Sequence, residues 1–292
     1  MSNHKILTID NLSLQEFDSE AELIPLLTPE DEEEMNNEEL PLSLPILPLR
    51  NTVLFPGVVI PISAGRDKSI KLINDANAGG KIIGVVSQIN EEDEDPSKDD
   101  IHKIGTVARI LRVLKMPDGN VTVILQGKKR FEINEVVSEE PYITATIQEV
   151  SEERPDENDT EFTAILDSVK ELAIQIIKES PNIPSEATFA IKNIESQSFL
   201  INFVSSNMNL SVKEKQGLLS INGLKDRALE TLRYMNVELQ KLELKNDIQS
   251  KVRFDLDQQQ REYFLHQQMK TIQEELGGVS QEEEMDEMGQ KA

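Results

Sequence analysis

The side chains that could carry chemistry are few, and their spacing does not favour it. Three histidines, His4, His102 and His266, lie far apart. None belongs to an H-E-x-x-H pair, which would set two imidazoles on one helix face around a metal. The absence of cysteine removes disulfides and thiol nucleophiles together. No G-x-S-x-G turn is present to lift a serine out of a strand end. Gly79-Gly80-Lys81 approaches a phosphate loop, but such a loop needs glycine where Asp75 stands and a magnesium-binding hydroxyl where Ile82 stands. The acidic runs at 30–34 and 91–95 lack the glycine and regular oxygen spacing of a calcium loop, and read as solvated charge. The expectation is a chain with no catalytic residue, metal or cofactor of its own.

One stretch runs against the acidity of the rest. Residues 101–130 hold seven Lys/Arg against the single acid Asp118. Arg109, Arg112, Lys115, Lys128, Lys129 and Arg130 could line a face for phosphate backbones or acidic peptide. Only Phe131 stands near enough in sequence to stack a base.

The net charge of -24 is concentrated at the two ends. Residues 1–40 carry a net -11 and residues 278–292 a net -4, leaving about -9 for everything between. A surface of that sign repels nucleic acid and anionic membrane. The N-terminus lacks the apolar core of a signal peptide, and no apolar run approaches the ~20 residues that span a bilayer. Cysteine-free composition suits a reducing compartment. These features point to a cytoplasmic protein with no membrane partner.

Residues 1–41 are too polar to offset the entropy of ordering and are expected to be disordered. From 42 to 151 the texture is β-rich, with strand-length runs "LPILPLR", "VVIPIS", "KIIGVVSQ", "TVARILRVLK", "NVTVILQG", "KRFEINEVV" and "YITATIQEV". Pro56-Gly57 turns the chain between the first two. Asp118-Gly119, after Pro117, closes a hairpin that needs positive φ at the glycine. "GRDKSIKLINDANAGG" reads as a short helix stopped at Gly79-Gly80. Many short strands with one helix predict a partly closed barrel or sandwich.

Residues 158–222 switch to helical period. Phe162, Ile165, Leu166, Val169, Leu172, Ala173, Ile176 and Ile177 form one apolar stripe. Pro181 and Pro184 end that helix, Ser185 is placed to cap the next, and Ser211-x-x-Glu214 reads as a capping box for a third. Residues 223–277 then form a long helix, with 53 residues from Leu224 to Leu276 free of Gly and Pro. Unbroken, it would be on the order of 80 Å long. Ala228, Leu232, Met235, Leu239 and Leu242 make one seam at coiled-coil spacing, and Leu265, Met269, Ile272 and Leu276 a second. Between them lies a mostly polar stretch supported by the i,i+4 pairs Asp247–Lys251 and Asp257–Arg261. The first seam can pack on the bundle. The second, with Tyr263 and Phe264 beside it, has no partner left in this chain and reads as a coupling or docking helix. An acidic tail, 278–292, follows. The fold class is α+β.

Two long stretches, "LPILPLRNTVLFPGVVIPISAGR" at 44–66 and "KVRFDLDQQQREYFLHQQMKTIQEELGG" at 251–278, carry a resemblance. With "GTVARILRVLKMPDGNVTVILQGKKRFEI" at 105–133, the sequence resembles the N-terminal region of the Lon family of ATP-dependent proteases over residues 42–278. The resemblance implies a PUA-like β-barrel or sandwich, a small helical bundle and a long coiled-coil-like helix leading to an AAA+ ATPase module and a Ser–Lys protease domain. Neither motif set is found here, so a fragment of a larger enzyme is expected, with ATP and Mg belonging to the parent. It further implies a cytoplasmic homohexamer in protein quality control, with unfolded, damaged or degron-bearing proteins as substrates. Two other readings stand beside it: a nucleic-acid-binding regulator using 101–130, and a coiled-coil homo-oligomeric scaffold.

Overall fold

The structure is a computed structural model and describes residues 6–7, 24–25, 32, 35, 37–117, 119–156, 158–181 and 183–275. The expected disordered segment 1–41 lies mostly outside these residues, and the tail 278–292 wholly so. Within the former, β1 (Ile6–Leu7) pairs antiparallel with β2 (Ile24–Pro25).

The alternating and continuous β-branched runs become β3 (Ser43–Leu49), β4 (Val59–Ala64), β5 (Ile82–Ser87), β6 (Ile104–Lys115), β7 (Val121–Ser138) and β8 (Thr144–Glu149). Their order is β4-β7-β6-β5-β3-β8, and a further pairing of β8 with β7 closes a small barrel. Pairing is antiparallel except between β3 and β5, where α1 (Asp67–Ala78) falls in the intervening chain. The two runs on either side of Gly127, expected as separate strands, form the single 18-residue β7. Its first half pairs with β4 and its second with β8, and register shifts along both edges let it bend. Gly127 is not a break. A Cβ there would stand 2.2 Å from the Phe55 carbonyl oxygen, so the glycine admits the Pro56-Gly57 turn against the strand.

Two apolar clusters fill the barrel. One lies under α1, with Leu72 and Ile73 meeting Leu47, Ile83, Ile110 and Leu125. The other surrounds Phe131 with Leu44, Ile46, Val86, Val107 and Ala145.

The helical part contains α2 (Thr160–Glu179), α3 (Ala187–Asn193), α4 (Gln197–Asn207), α5 (Val212–Ser220) and α6 (Leu224–Glu275). The α2 stripe is buried at Phe162, Ile165, Leu166, Val169, Ala173, Ile176 and Ile177. Asp159 caps α2 through the Phe162 amide, and the Ser211–Glu214 capping box is present at α5. Ser185 does not cap α3. That helix is entered through successive i→i+3 turns, in which Pro184, Ser185 and Glu186 carbonyls accept from the 187, 188 and 189 amides, so no side-chain acceptor is needed. Ser196 caps α4 instead, through the Phe199 amide.

The chain divides into two compact units, Met1–Gln240 and Lys241–Ala292. The first holds the barrel, α1–α5 and the opening turns of α6, where Leu224, Ala228, Met235 and Leu239 are buried. In the second, the helix continues to Glu275.

Candidate functional site

Within the first unit the barrel and the helical bundle are joined by polar side chains that reach between them. Arg130, in the middle of β7 and 3% exposed, donates to the carbonyls of Leu219 and Ile221, both at 2.9 Å, and to Asn222 Oδ1 at 3.3 Å. Its other arm reaches the Ser151 carbonyl at 3.4 Å. Arg227, fully buried on α6, donates to Ile221 O at 2.9 Å, to Asn202 Oδ1 at 3.0 Å and to Glu152 Oε2 at 3.0 Å. Burial, with Arg227 nearby, brings the Arg130 pKa down to about 10, and Glu152 opposes the shift. The Arg130 guanidinium therefore stays charged at neutral pH, and both guanidiniums are held by carbonyls that would otherwise be orphans of the α5 end. Gln216 adds a second hook: it accepts from Ser87 Oγ at 2.6 Å and donates to Ile104 O at 2.8 Å. Asn202 supplies a third, donating to Pro56 O at 3.3 Å.

Beside this junction opens a cleft of about 230 Å³. Its walls include Lys128, Lys129, Arg130, Glu149, Arg154 and Phe199. Lys129 pairs with Glu149 at 3.1 Å. Lys128, nearly buried, pairs with Glu38, and Arg154 pairs with Glu32 and, at 3.4 Å, with Glu152. Burial pushes the Lys128 pKa down.

These placements break up the expected basic patch. Arg109, Arg112 and Lys115 are exposed along β6, with Arg112 engaged in an interaction of its own. Lys128 and Arg130 are buried and Lys129 is partly covered, each already matched by carboxylates or carbonyls. The reason is topological. β7 is paired on both edges and its middle is covered by the bundle, so its cations must be neutralised where they sit. Spacing along the sequence showed the charges, but not that Glu152, Glu149 and Glu38 would arrive from distant segments.

Of the turn residues, Gly57 takes φ +78° and its amide donates to the Gly127 carbonyl at 2.9 Å, while Pro56 lines the cleft. Gly119 takes φ +88° in the β6–β7 hairpin, where its amide reaches Met116 O at 3.1 Å. Asp118 lies outside the described residues. Among the described residues no cluster of His, Asp and Glu is placed to hold a metal. No helix there is long and apolar enough to cross a membrane.

The second unit presents a different surface. On its helix Tyr263, Phe264, Leu265, Met269 and Ile272 are each more than half exposed. Leu244, Ile248, Val252, Phe254 and Leu256 are equally open, which makes this stretch richer in uncovered apolar side chains than its polar composition suggested. Lys251 and Asp247 pair at 2.8 Å, as their i,i+4 spacing requires. Leu276 lies outside the described residues.

Comparison with known proteins decides the family. A family profile described as the ATP-dependent protease La (LON) substrate-binding domain matches residues 43–237, from the first residue of β3 into α6. The chain belongs to that family. It is 98% identical over 292 residues to a Lon protease of Flavobacterium johnsoniae, a match covering 100% of this chain and 36% of that protein. It is 51% identical over 272 residues to a Lon protease of Cytophaga hutchinsonii, covering 93% of this chain and 34% of that one. The chain thus spans about a third of the length of the curated relatives it matches. Among solved structures, the N-terminal domain of Mycobacterium avium complex Lon protease matches with a TM-score of 0.55 at 20% identity, covering 66% of this chain and 98% of that one. That likeness concerns the fold, which is the α+β arrangement expected from the sequence. The resemblance carried by 44–66 and 105–133 falls inside the matched Lon region, whereas 251–278 lies beyond its end at residue 237.

Proposed function

We propose that this chain is the client-binding and assembly part of an ATP-dependent Lon-type protease. It takes hold of unfolded, damaged or degron-bearing proteins and passes them to an AAA+ ATPase and protease ring. The observation that carries the reading is the run of uncovered apolar side chains on residues 244–272 of the Lon substrate-binding chain. Apolar surface of that extent on a soluble helix marks an interaction site. Tyr263, Phe264, Leu265, Met269 and Ile272 serve as the docking knobs for the ATPase module, and Leu276 continues the seam. Residues 42–151 and 158–222 are the client-facing β-rich and helical domains, and 223–277 the connecting helix.

In this reading ATP and Mg are bound by the parent enzyme, the ring is a homohexamer, and the compartment is the cytoplasm. Binding of one copy to a client is weak, and six linked copies gain by avidity. The turn residues Pro56, Gly57, Asp118 and Gly119 keep the barrel's loops in place. The nucleic-acid reading loses support because three of the seven cations of the basic stretch are consumed inside the fold. The self-pairing scaffold survives only as a property of the 244–272 surface.

The test is fluorescence anisotropy of a labelled, permanently unfolded protein titrated with this chain at physiological salt, with single-stranded nucleic acid as competitor. Saturable client binding that the competitor leaves intact is expected. Salt-sensitive nucleic-acid binding without client binding would reverse the conclusion.

A further inference from the structure

A segment of the chain itself forms one wall of the cleft beside Arg130. Glu32, Met35 and Glu38 lie three residues apart in the acidic N-terminal region; the first two line the cleft, and the third pairs with Lys128 in its wall. Glu32 pairs with Arg154 and Glu38 with the nearly buried Lys128. Met35, buried, lines the cleft together with Phe199 and Pro56. Two cationic side chains thus stand in a wall that also holds Phe199 and Pro56, and the N-terminal segment presents two carboxylates flanking one apolar side chain.

The match is one of charge and shape together. Lys128 has lost water to burial, which disfavours its charged form unless an anion stands against it. Glu38 supplies that anion. Arg154 is half exposed and can pair with any carboxylate that enters. The segment lies outside residues 43–237, the part matched by the family profile, whereas Lys128 and Arg154 lie inside it. The receptor is therefore within the family domain and the occupant is an appendage.

We propose that this surface is a peptide-docking site for acidic segments carrying a single apolar residue between carboxylates, and that Glu32, Met35 and Glu38 cover it in cis as a competing pseudo-ligand. A partner protein presenting the same pattern displaces the strap, so the site is open only to ligands that outcompete a tethered one. The inference goes beyond the function proposed above, because it assigns a surface and a ligand chemistry whether or not the chain delivers clients to a ring.

The test uses the full 292-residue chain and a labelled peptide of residues 29–40, PEDEEEMNNEEL. Glu32→Gln, Met35→Ser and Glu38→Gln combined should uncover the surface. The peptide should then bind about tenfold tighter than to the unaltered chain, because apparent affinity scales with the fraction of molecules whose site is free. Adding Lys128→Gln should remove that binding. Because Lys128 is nearly buried, Arg154→Gln provides an exposed second variant, expected to weaken the peptide about fivefold with an unchanged thermal transition. A peptide with Met35→Asp should bind weakest of all. Equal affinity for the strapped and uncovered chains would overturn the proposal, as would binding indifferent to Arg154→Gln. So would an uncovered surface that takes a single-stranded oligonucleotide and ignores the peptide.

Discussion

Arg227 is the residue on which the junction of barrel and bundle turns. It is a cation with no exposed surface, and its one carboxylate partner among the described residues is Glu152. Glu152 also receives Ser198 Oγ at 3.0 Å, so its loss would take an acceptor from Ser198 and the one carboxylate from Arg227 together. Glu152→Ala should lower the stability of the first unit by about 3 kcal/mol, the usual cost of leaving a buried charge without its partner. Urea unfolding followed by circular dichroism would show this, and a change within a few tenths would mean that the carbonyls alone satisfy Arg227. Two further residues set the acid limb. Asp159 accepts from Lys225 at 2.8 Å and from the Phe162 amide, and both hold its carboxyl below the usual 3.8. Burial holds His102 below 6.5. In both cases the unfolded chain takes up a proton before the native one does, so stability falls as pH drops. The loss should begin below pH 6.5 for His102 and deepen below 3.8 for Asp159. Denaturation midpoints across pH should flatten in the upper range for His102→Asn and in the acid range for Asp159→Asn; curves that superpose on the parent would refute the assignment.

At the scale of elements, the two ends of α6 differ in what they ask of their surroundings. The first turns bury Leu224, Ala228 and Met235, whereas Phe264, Leu265 and Ile272 face water. Phe264→Ser with Leu265→Asp should therefore leave thermal unfolding of the first unit unchanged while abolishing capture of an isolated ATPase module or any self-association seen by light scattering. A fall in the melting temperature would show that these side chains are packed after all. This contrast was legible in the sequence, because period and glycine placement are local properties that mark a helix and its stripe. The single strand β7 was not. Gly127 resembles a strand terminator in sequence, and only the proximity of the Phe55 carbonyl, 72 positions earlier in the chain, shows that it is there to admit a turn. The cleft was illegible for a related reason. Its walls come from β7, β8, α4 and the N-terminal segment, and no local pattern records that Glu38 will meet Lys128. The basic stretch misled in the opposite direction, since alternation along a covered strand buries cations that composition counts as surface.

For the molecule as a whole, the barrel is completed by its last strand. β3 lies between β5 and β8, with Leu44 opposite Ala145, and β8 also seals against β7. A chain leaving the ribosome from its N-terminus has β3 in hand long before β8 exists. Until residue 149 has emerged, one edge of β3 shows bare amides and carbonyls, and Phe131 and Ala145 cannot close over their shared cluster. Arg130 waits longer still, because its acceptors at Leu219 and Ile221 are made later. Ribosome-bound chains stalled near residue 140 should be cut readily by added protease, and chains long enough to have extruded residue 240 should resist it. Equal resistance would mean that β3 to β7 hold together unaided. For that interval of its own synthesis, a protein proposed to grip unfolded chains is itself one, and it leaves that state only when the final strand and the bundle arrive.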